Sequence, residues 1–433
     1  MSRAGKTKAV LTLLSFVAVG VLAVVFINAV PDEPPTVSAT AESTTTTASS
    51  AAPSTTTTTS TTSTTVEPDP VPREVVPVPE ERTAQLAFTG DTLAHGAVVR
   101  QAGANASGTD VEYDFAPMFA SIEPYLSSAD LAICHLETPL SPDNTRLSGF
   151  PTFNVPREMA DGLRESGFDG CTTASNHSLD QWPQGVVDTL DVLEEAGLGH
   201  SGMARDQAEY DDVTLYDANG ITIASLSYTF SFNGFLEPED TPWLVNLIDI
   251  EEIAAEATRA REAGANYIVL SLHWGDEYRH EPNQFQLDNA EALIAAADID
   301  LIIGHHAHVV QPVSIVDGVP VVFGLGNILS NQSASCCAVG APDGVVMLVD
   351  IAETVTNGRS TFSTSFSYVP TRVDRSNFTI VPVIDIVADA EAGLVELSAA
   401  NRDIYVASRE RTADALKLSG DEVGIVEVSS AGS

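Results

Sequence analysis

Cations are what this 433-residue chain has least of: 20 Lys and Arg stand against 60 Asp and Glu, a formal net charge of −40. So acidic a surface repels phosphate backbones, which excludes nucleic acid as a partner. The excess reads as a solubility or salt adaptation. An anionic polymer meets the same repulsion except where bound metal ions create a local positive field. Cysteine is scarce as well. Cys134, Cys171, Cys336 and Cys337 form no Cys-x-x-Cys pair, which argues against a thiolate metal site. Cys134 and Cys171 fall in apolar, strand-like runs and are expected as core thiols. For the adjacent Cys336 and Cys337, a vicinal bond, a bridge elsewhere and free thiols all stay open.

Apolar runs long enough to span a bilayer reduce to residues 9–30, broken only by Thr12, Ser15 and Asn28 and preceded by Arg3, Lys6 and Lys8. At about 1.5 Å per helical residue the run matches the roughly 30 Å of a bilayer's hydrocarbon. The basic flank predicts a cytoplasmic N-terminus over 1–8, a single-pass transmembrane anchor over 9–30, and everything beyond it extracellular. A cleaved signal peptide competes. Its apolar region is normally shorter, and Ile27-Asn28-Ala29 is a poor cleavage site. No Cys lies near the run, which excludes a lipoprotein anchor. Residues 31–84 are rich in Thr and Ser, then in Pro and acidic residues, and are expected to form a disordered linker. The same composition makes them candidates for O-glycosylation.

What the chain does have is histidine in a rare order. All nine lie between positions 95 and 308. Asn176-His177, Leu272-His273-Trp274-Gly275 and Gly304-His305-His306-Ala307-His308 each follow a short apolar run, 168–172, 267–270 and 299–303, that reads as a buried strand. Strand ends are where an α/β sheet presents side chains to a ligand. Imidazole with carboxylate or amide oxygen suits Mn, Zn or Fe. Two such ions can clamp both oxygens of an in-line phosphoryl displacement. Two cations also require carboxylates, and Asp91 and Glu137 each follow a strand-like run. The expected set is therefore two divalent ions held by Asp91, Glu137, Asn176, His273, His306 and His308. His177 is the candidate general acid. Asp180 either orients His177 or caps the helix expected near Pro183. His305 reads as structural or as an outer partner of the ligands, Asn327 as closing the cleft, and His200 and His280 as rim residues.

Taken in order, these segments resemble the CapA proteins of poly-γ-glutamate capsule synthesis, whose domain is similar to the calcineurin-like metallophosphoesterases. The motifs are Gly90-Asp91, His135-Leu136-Glu137, Asn176-His177-Ser178-Leu179-Asp180, Leu272-His273-Trp274-Gly275, Gly304-His305-His306-Ala307-His308 and Leu325-Gly326-Asn327, over about residues 84–335. The resemblance implies an α/β/β/α sandwich of metallophosphoesterase type behind the transmembrane helix and linker. It also implies an envelope polymer or phosphodiester as substrate, with a capsule synthase complex as a possible partner. Two departures stand out. Position 135 is His where the family has Asn, and Leu93 occupies a position where phosphoesterases place a ligand His. His135 or His95 is expected to supply that imidazole, or both merely line the cleft. Two function classes follow: an exported metal-dependent hydrolase, and a non-catalytic assembly component that binds polymer or synthase.

The pattern elsewhere alternates strands (85–89, 131–134, 221–228) with helices (115–126, 156–166, 184–196, 250–263, 283–297). Past His308 it predicts strands at 309–316, 319–323, 345–351 and 361–369 without helices, hence a second, mostly antiparallel sheet. A strand at 379–387, and a short helix with a frayed tail in 400–433, complete the expectation. The domain is placed at 85–335, with 336–433 as its β-rich extension.

Overall fold

The computed structural model describes residues 80–238, 240–356, 359–421 and 423–430. The expected anchor at 9–30 and nearly all of the linker lie outside them. Among the described residues no helix is long and apolar enough to cross a membrane. The chain enters with β1 (Glu80–Thr92), α1 (Gly96–Asn105), α2 (Ala116–Phe119), α3 (Glu123–Ser127) and β2 (Leu131–Leu136). A small ladder of β3 (Leu140–Ser141) and β4 (Val155–Pro156) precedes α4 (Glu158–Glu165), β5 (Gly170–Thr172), α5 (Trp182–Glu195) and β6 (Gly199–Ser201). Next come α6 (Gln207–Asp211), β7 (Leu215–Ala218), β8 (Ile221–Thr229), α7 (Ile250–Glu262), β9 (Tyr267–His273), α8 (Gln284–Ala296) and β10 (Leu301–His305). The chain ends through β11 (Val313–Val316), β12 (Val319–Val322), β13 (Asn327–Leu329), β14 (Asp343–Thr356), β15 (Arg359–Asp374), β16 (Thr379–Pro382), α9 (Val383–Glu391), α10 (Ala399–Leu416) and β17 (Val426–Glu427).

Two mixed sheets result, ordered β16-β15-β14-β1-β2-β5-β6 and β11-β12-β10-β9-β8-β7. Alternation along each strand sorts the layers. Leu86, Phe88, Leu131 and Ile133 meet Ile223, Val269, Leu301 and Ile303 between the sheets. Their neighbours Ala87, Ala132 and Cys134 face Val98, Phe115, Met118 and Leu163 beneath the first helical layer. On the far side Leu226, Ile268 and Leu270 pack on Ile253, Ala257 and Leu293. The layering is helix, sheet, sheet, helix, as expected. Each fully buried aliphatic side chain contributes about 1.5–3 kcal/mol to holding these layers together. Local signals fix the outer helices: the Asp249 side chain caps α7, and Asn283 and Gln286 form a capping box on α8.

Several expectations need correction. The β-rich C-terminal part makes no sheet of its own. β14 pairs antiparallel with β1 from Glu80↔Val355 to Thr89↔Val346, so β14, β15 and β16 extend the first sheet. They cover an edge of β1 that would otherwise expose unpaired backbone. β11 and β12 complete the second sheet instead. The linker boundary at 84 falls inside β1. The helix expected over 115–126 is two short helices, because Pro117 and Pro124 each sit in a first turn and lack the backbone N–H that a helix running through them would need. The strand at 309–316 begins only at Val313. The strand at 379–387 stops at Pro382, from which α9 starts. The C-terminal helix is longer than expected, with 18 residues, and β17 pairs with β15. Cys134 and Cys171 are a disulfide, not free core thiols. They stand opposite each other on the parallel strands β2 and β5, with Cα atoms 4.4 Å apart. Cys336 and Cys337 form a vicinal disulfide.

Candidate metal centre

The C-terminal ends of β1, β2 and β5 in one sheet and of β9 and β10 in the other lead to a single buried cluster. Register places Asp91 opposite His135 and His135 opposite Thr172, while His273 stands opposite His305. The sheets meet through these rings: His135 Nε2 lies 2.9 Å from His273 Nδ1, and His135 stacks on His305 at 4.0 Å. Glycines make the close approach possible. A Cβ on Gly90 would lie 2.0 Å from the Gly326 carbonyl, and one on Gly304 would lie 1.9 Å from that of Phe323. This is the physical content of the Gly-Asp, Leu-Gly-Asn and Gly-His-His motifs.

Within the cluster, His308 Nδ1 is 2.9 Å from Asp91 Oδ2 and 3.1 Å from Asn327 Oδ1. The Asn327 amide donates to the His308 carbonyl at 3.2 Å and to that of Ala341 at 2.7 Å, so it fixes the His308 loop from behind. Glu137 Oε1 lies 3.7 Å from His308 Nε2 and 3.9 Å from His273 Nε2, too far for a hydrogen bond to either. His273 Nε2 is 3.1 Å from Asn176 Oδ1. The backbone N–H of His306 points at Asp91 Oδ1. All six expected ligands, Asp91, Glu137, Asn176, His273, His306 and His308, are buried here.

The donor set fits divalent ions. Both carboxylate oxygens of the fully buried Glu137, together with Nδ1 of His306, have no hydrogen-bond partner. An orphaned buried polar group costs about 1–3 kcal/mol, and more when charged. Among the described residues, ligand atoms lie within 4.8 Å of one another in Asp91/His135/His305, Asp91/Glu137/His308 and Glu277/His306/His308. A fourth such group, Glu194/His200/Glu209, lies elsewhere, and Arg205 pairs with both of its glutamates.

Electrostatics separate the two carboxylates. Burial pushes the Asp91 carboxyl up, but hydrogen bonds to His305 and His308 outweigh it and hold Asp91 well below the usual range. Burial raises Glu137 well above it. Burial lowers His135 and His273 strongly and takes His306 down to about 3. These imidazoles are neutral, the form that offers a lone pair. His308 differs. Burial lowers it too, yet Glu137 and Asp91 outweigh that and lift it to about 9.

Beside the cluster, His177 Nδ1 lies 2.8 Å from Asp180 Oδ2, and its ring meets Phe153 edge-on at 4.8 Å. Asp180 Oδ2 also accepts the Phe153 N–H at 2.6 Å. Asp180 is not a helix cap: α5 starts at Trp182 and the cap position is Gln181. Of the two histidines offered for the missing imidazole, His135 is inside the cluster. His95 is at the start of α1 and in none of the ligand groups, packs edge-on against Phe153 at 5.4 Å, and is lowered by burial to about 4. His280 lies outside as well, 2.7 Å from the Val310 carbonyl. Sequence reasoning missed Glu277 and Asn233. Asn233 Nδ2 comes within 3.4 Å of His177 Nε2 from the loop after β8. Its only signal was an Asn-Gly turn, and Glu277 carried none beyond following Trp274-Gly275.

Residues 85–332 match the family model described as bacterial capsule synthesis protein PGA_cap. The chain is 26% identical over 268 residues to the capsule biosynthesis protein CapA of Bacillus anthracis, covering 60% of this chain and 63% of that protein. It is 30% identical over 224 residues to the PGA biosynthesis protein CapA of Bacillus subtilis strain 168, covering 50% and 57%. The matches thus span less than two thirds of either relative. Among solved structures, a calcineurin-like phosphoesterase from Bacillus subtilis aligns with a TM-score of 0.38 at 13% identity, covering 77% of this chain and 98% of that one.

Proposed function

The chain belongs to the PGA_cap family of bacterial capsule synthesis proteins, and from that premise we propose that it is a membrane-anchored envelope protein carrying a two-ion hydrolase centre. Its substrate is a phosphodiester or an anionic envelope polymer. The observation that carries the reading is Glu137, buried with both oxygens unpartnered between His308 and His273. Asp91, Glu137, Asn176, His273, His306 and His308 would hold the ions, Mn, Zn or Fe. Bound there, such ions supply Lewis acidity and an activated water at neutral pH.

The chain's own groups do the rest. Asp180 takes the Nδ1 hydrogen bond of His177 and holds the ring, which leaves Nε2 for the leaving group. His177 delivers a proton from Nε2 to the leaving oxygen. Asn233 stands at that nitrogen and orients the leaving group. His135 holds the His273 ring, and Asn327 holds the His308 loop. Support for anchoring is the apolar run at 9–30 with its basic flank, a pattern that favours a domain on the extracellular side.

A second reading, a non-catalytic assembly component that binds polymer or synthase, is favoured by the family's description, which names synthesis and not hydrolysis. Turnover decides between them. Full-length protein supplied with Mn²⁺ is expected to cleave an activated phosphodiester, and a chelator is expected to stop it. Protein that carries its ions yet leaves phosphodiesters, phosphomonoesters and γ-glutamyl polymer intact is an assembly component.

A further inference from the structure

The six ligands expected from sequence include only two carboxylates, few for two divalent cations. A third stands at the edge of the same cluster. Glu277 is exposed on the loop after β9, and its carboxylate lies within 4.8 Å of ligand nitrogens of His306 and His308. Both rings are buried, at 5% and 3% exposure, and Nδ1 of His306 has no hydrogen-bond partner.

Exposure does not leave this acid loose. The Tyr278 N–H donates to the Ala307 carbonyl at 2.7 Å, in the middle of the His-x-His segment. Gln311 donates to the Arg279 carbonyl at 2.8 Å, and His280 Nδ1 meets the Val310 carbonyl at 2.7 Å. Three ties therefore hold loop 276–280 against loop 307–311. Both loops carry left-handed residues other than glycine: Tyr278 at φ 64°, His306 at 82° and His308 at 53°. Such conformations persist where the surroundings over-determine them, as they do at functional sites.

We propose that Glu277 is a further metal ligand, completing with His306 and His308 an ion position on the solvent side of the centre. The assignment rests on the two-ion reading given above. Two imidazoles and one carboxylate favour a first-row divalent ion over Mg²⁺ or Ca²⁺. Three protein ligands leave coordination open, the pattern of a catalytic ion rather than a structural one. Because Glu277 is exposed, the open side faces solvent, where an anionic substrate oxygen arrives. The ion on this side is then the one that meets substrate, and loop 276–280 is tied to its occupancy.

Calorimetric titration of chelator-treated full-length protein with Mn²⁺ tests this, comparing wild type, Glu277→Gln and Asp276→Asn. Asp276 is an exposed neighbour outside the cluster, so its variant removes the same charge from the same loop. Glu277→Gln is expected to weaken one ion's affinity at least about tenfold, the lower end of what even an outer partner of a metal ligand contributes. Asp276→Asn is expected to change it less than twofold. Equal shifts in both variants, or no shift in Glu277→Gln, overturn the assignment of Glu277 alone. Wild-type protein that takes up no Mn²⁺ overturns the two-ion reading, and this assignment with it.

Discussion

Glu137→Leu is expected to abolish metal uptake and turnover without weakening the metal-free fold. Glu137 is a carboxylate set between the nitrogens of His308 and His273, so its loss would remove the anionic group that faces both rings. The activity loss should exceed the roughly 10–100-fold that removing an outer partner of a ligand costs. Stability should move the other way. In chelator-treated protein the wild-type carboxylate is fully buried with neither oxygen hydrogen-bonded, at a cost of about 1–3 kcal/mol. Leucine fills similar volume without that cost. The metal-free variant should therefore melt at or above the metal-free wild type. Adding Mn²⁺ should raise the melting temperature of wild type only, because a ligand that binds the native state stabilises it. Scanning calorimetry with and without Mn²⁺ checks both statements. A variant that melts lower and still responds to the ion would show that Glu137 serves the fold and not the metal.

His177→Ala is expected to lower turnover by roughly 10²–10⁴-fold, the usual contribution of a general acid, with metal content unchanged. His177 lies outside the ligand groups and is held by Asp180 at 2.8 Å and by the edge of Phe153. The loss should shrink as the leaving group becomes more acidic, because its oxygen then departs without a proton. A series of aryl phosphodiesters spanning several leaving-group pKa values reads this out. A uniform loss across the series would mean that His177 only shapes the cleft. Asp180→Asn should give a smaller loss of the same kind, since it leaves the imidazole in place and only loosens its orientation.

The ligand segments were legible in sequence for a definite reason. In an α/β fold, parallel strands end on one side, and a short apolar run followed by Asn-His or Gly-His-His marks such an end. Strand register pairs Asp91 with His135 and His273 with His305, and the packing of one sheet on the other brings the two pairs together. The choice between His95 and His135 was not legible, because nearness to Asp91 in the chain favours His95 and says nothing of strand pairing. Pairing decides it: His135 is Asp91's register partner, whereas His95 starts α1 and is carried off with that helix. The destination of β14 to β16 was hidden for a related reason. Alternation shows that a segment is a strand but not which open edge receives it. The bond between Cys134 and Cys171 needed the register of β2 against β5, which neither segment encodes by itself. Glu277 was invisible because loop backbone ties, and no periodic pattern, bring it to His306 and His308.

Anomalous diffraction at the manganese edge, from crystals grown with Mn²⁺, tests the central claim most directly. The expected map has two peaks about 3.5–4 Å apart, with the Glu137 carboxylate between them and His273 and His308 on opposite sides. A map with no peak among Asp91, Glu137, His273 and His308 would contradict the two-ion centre.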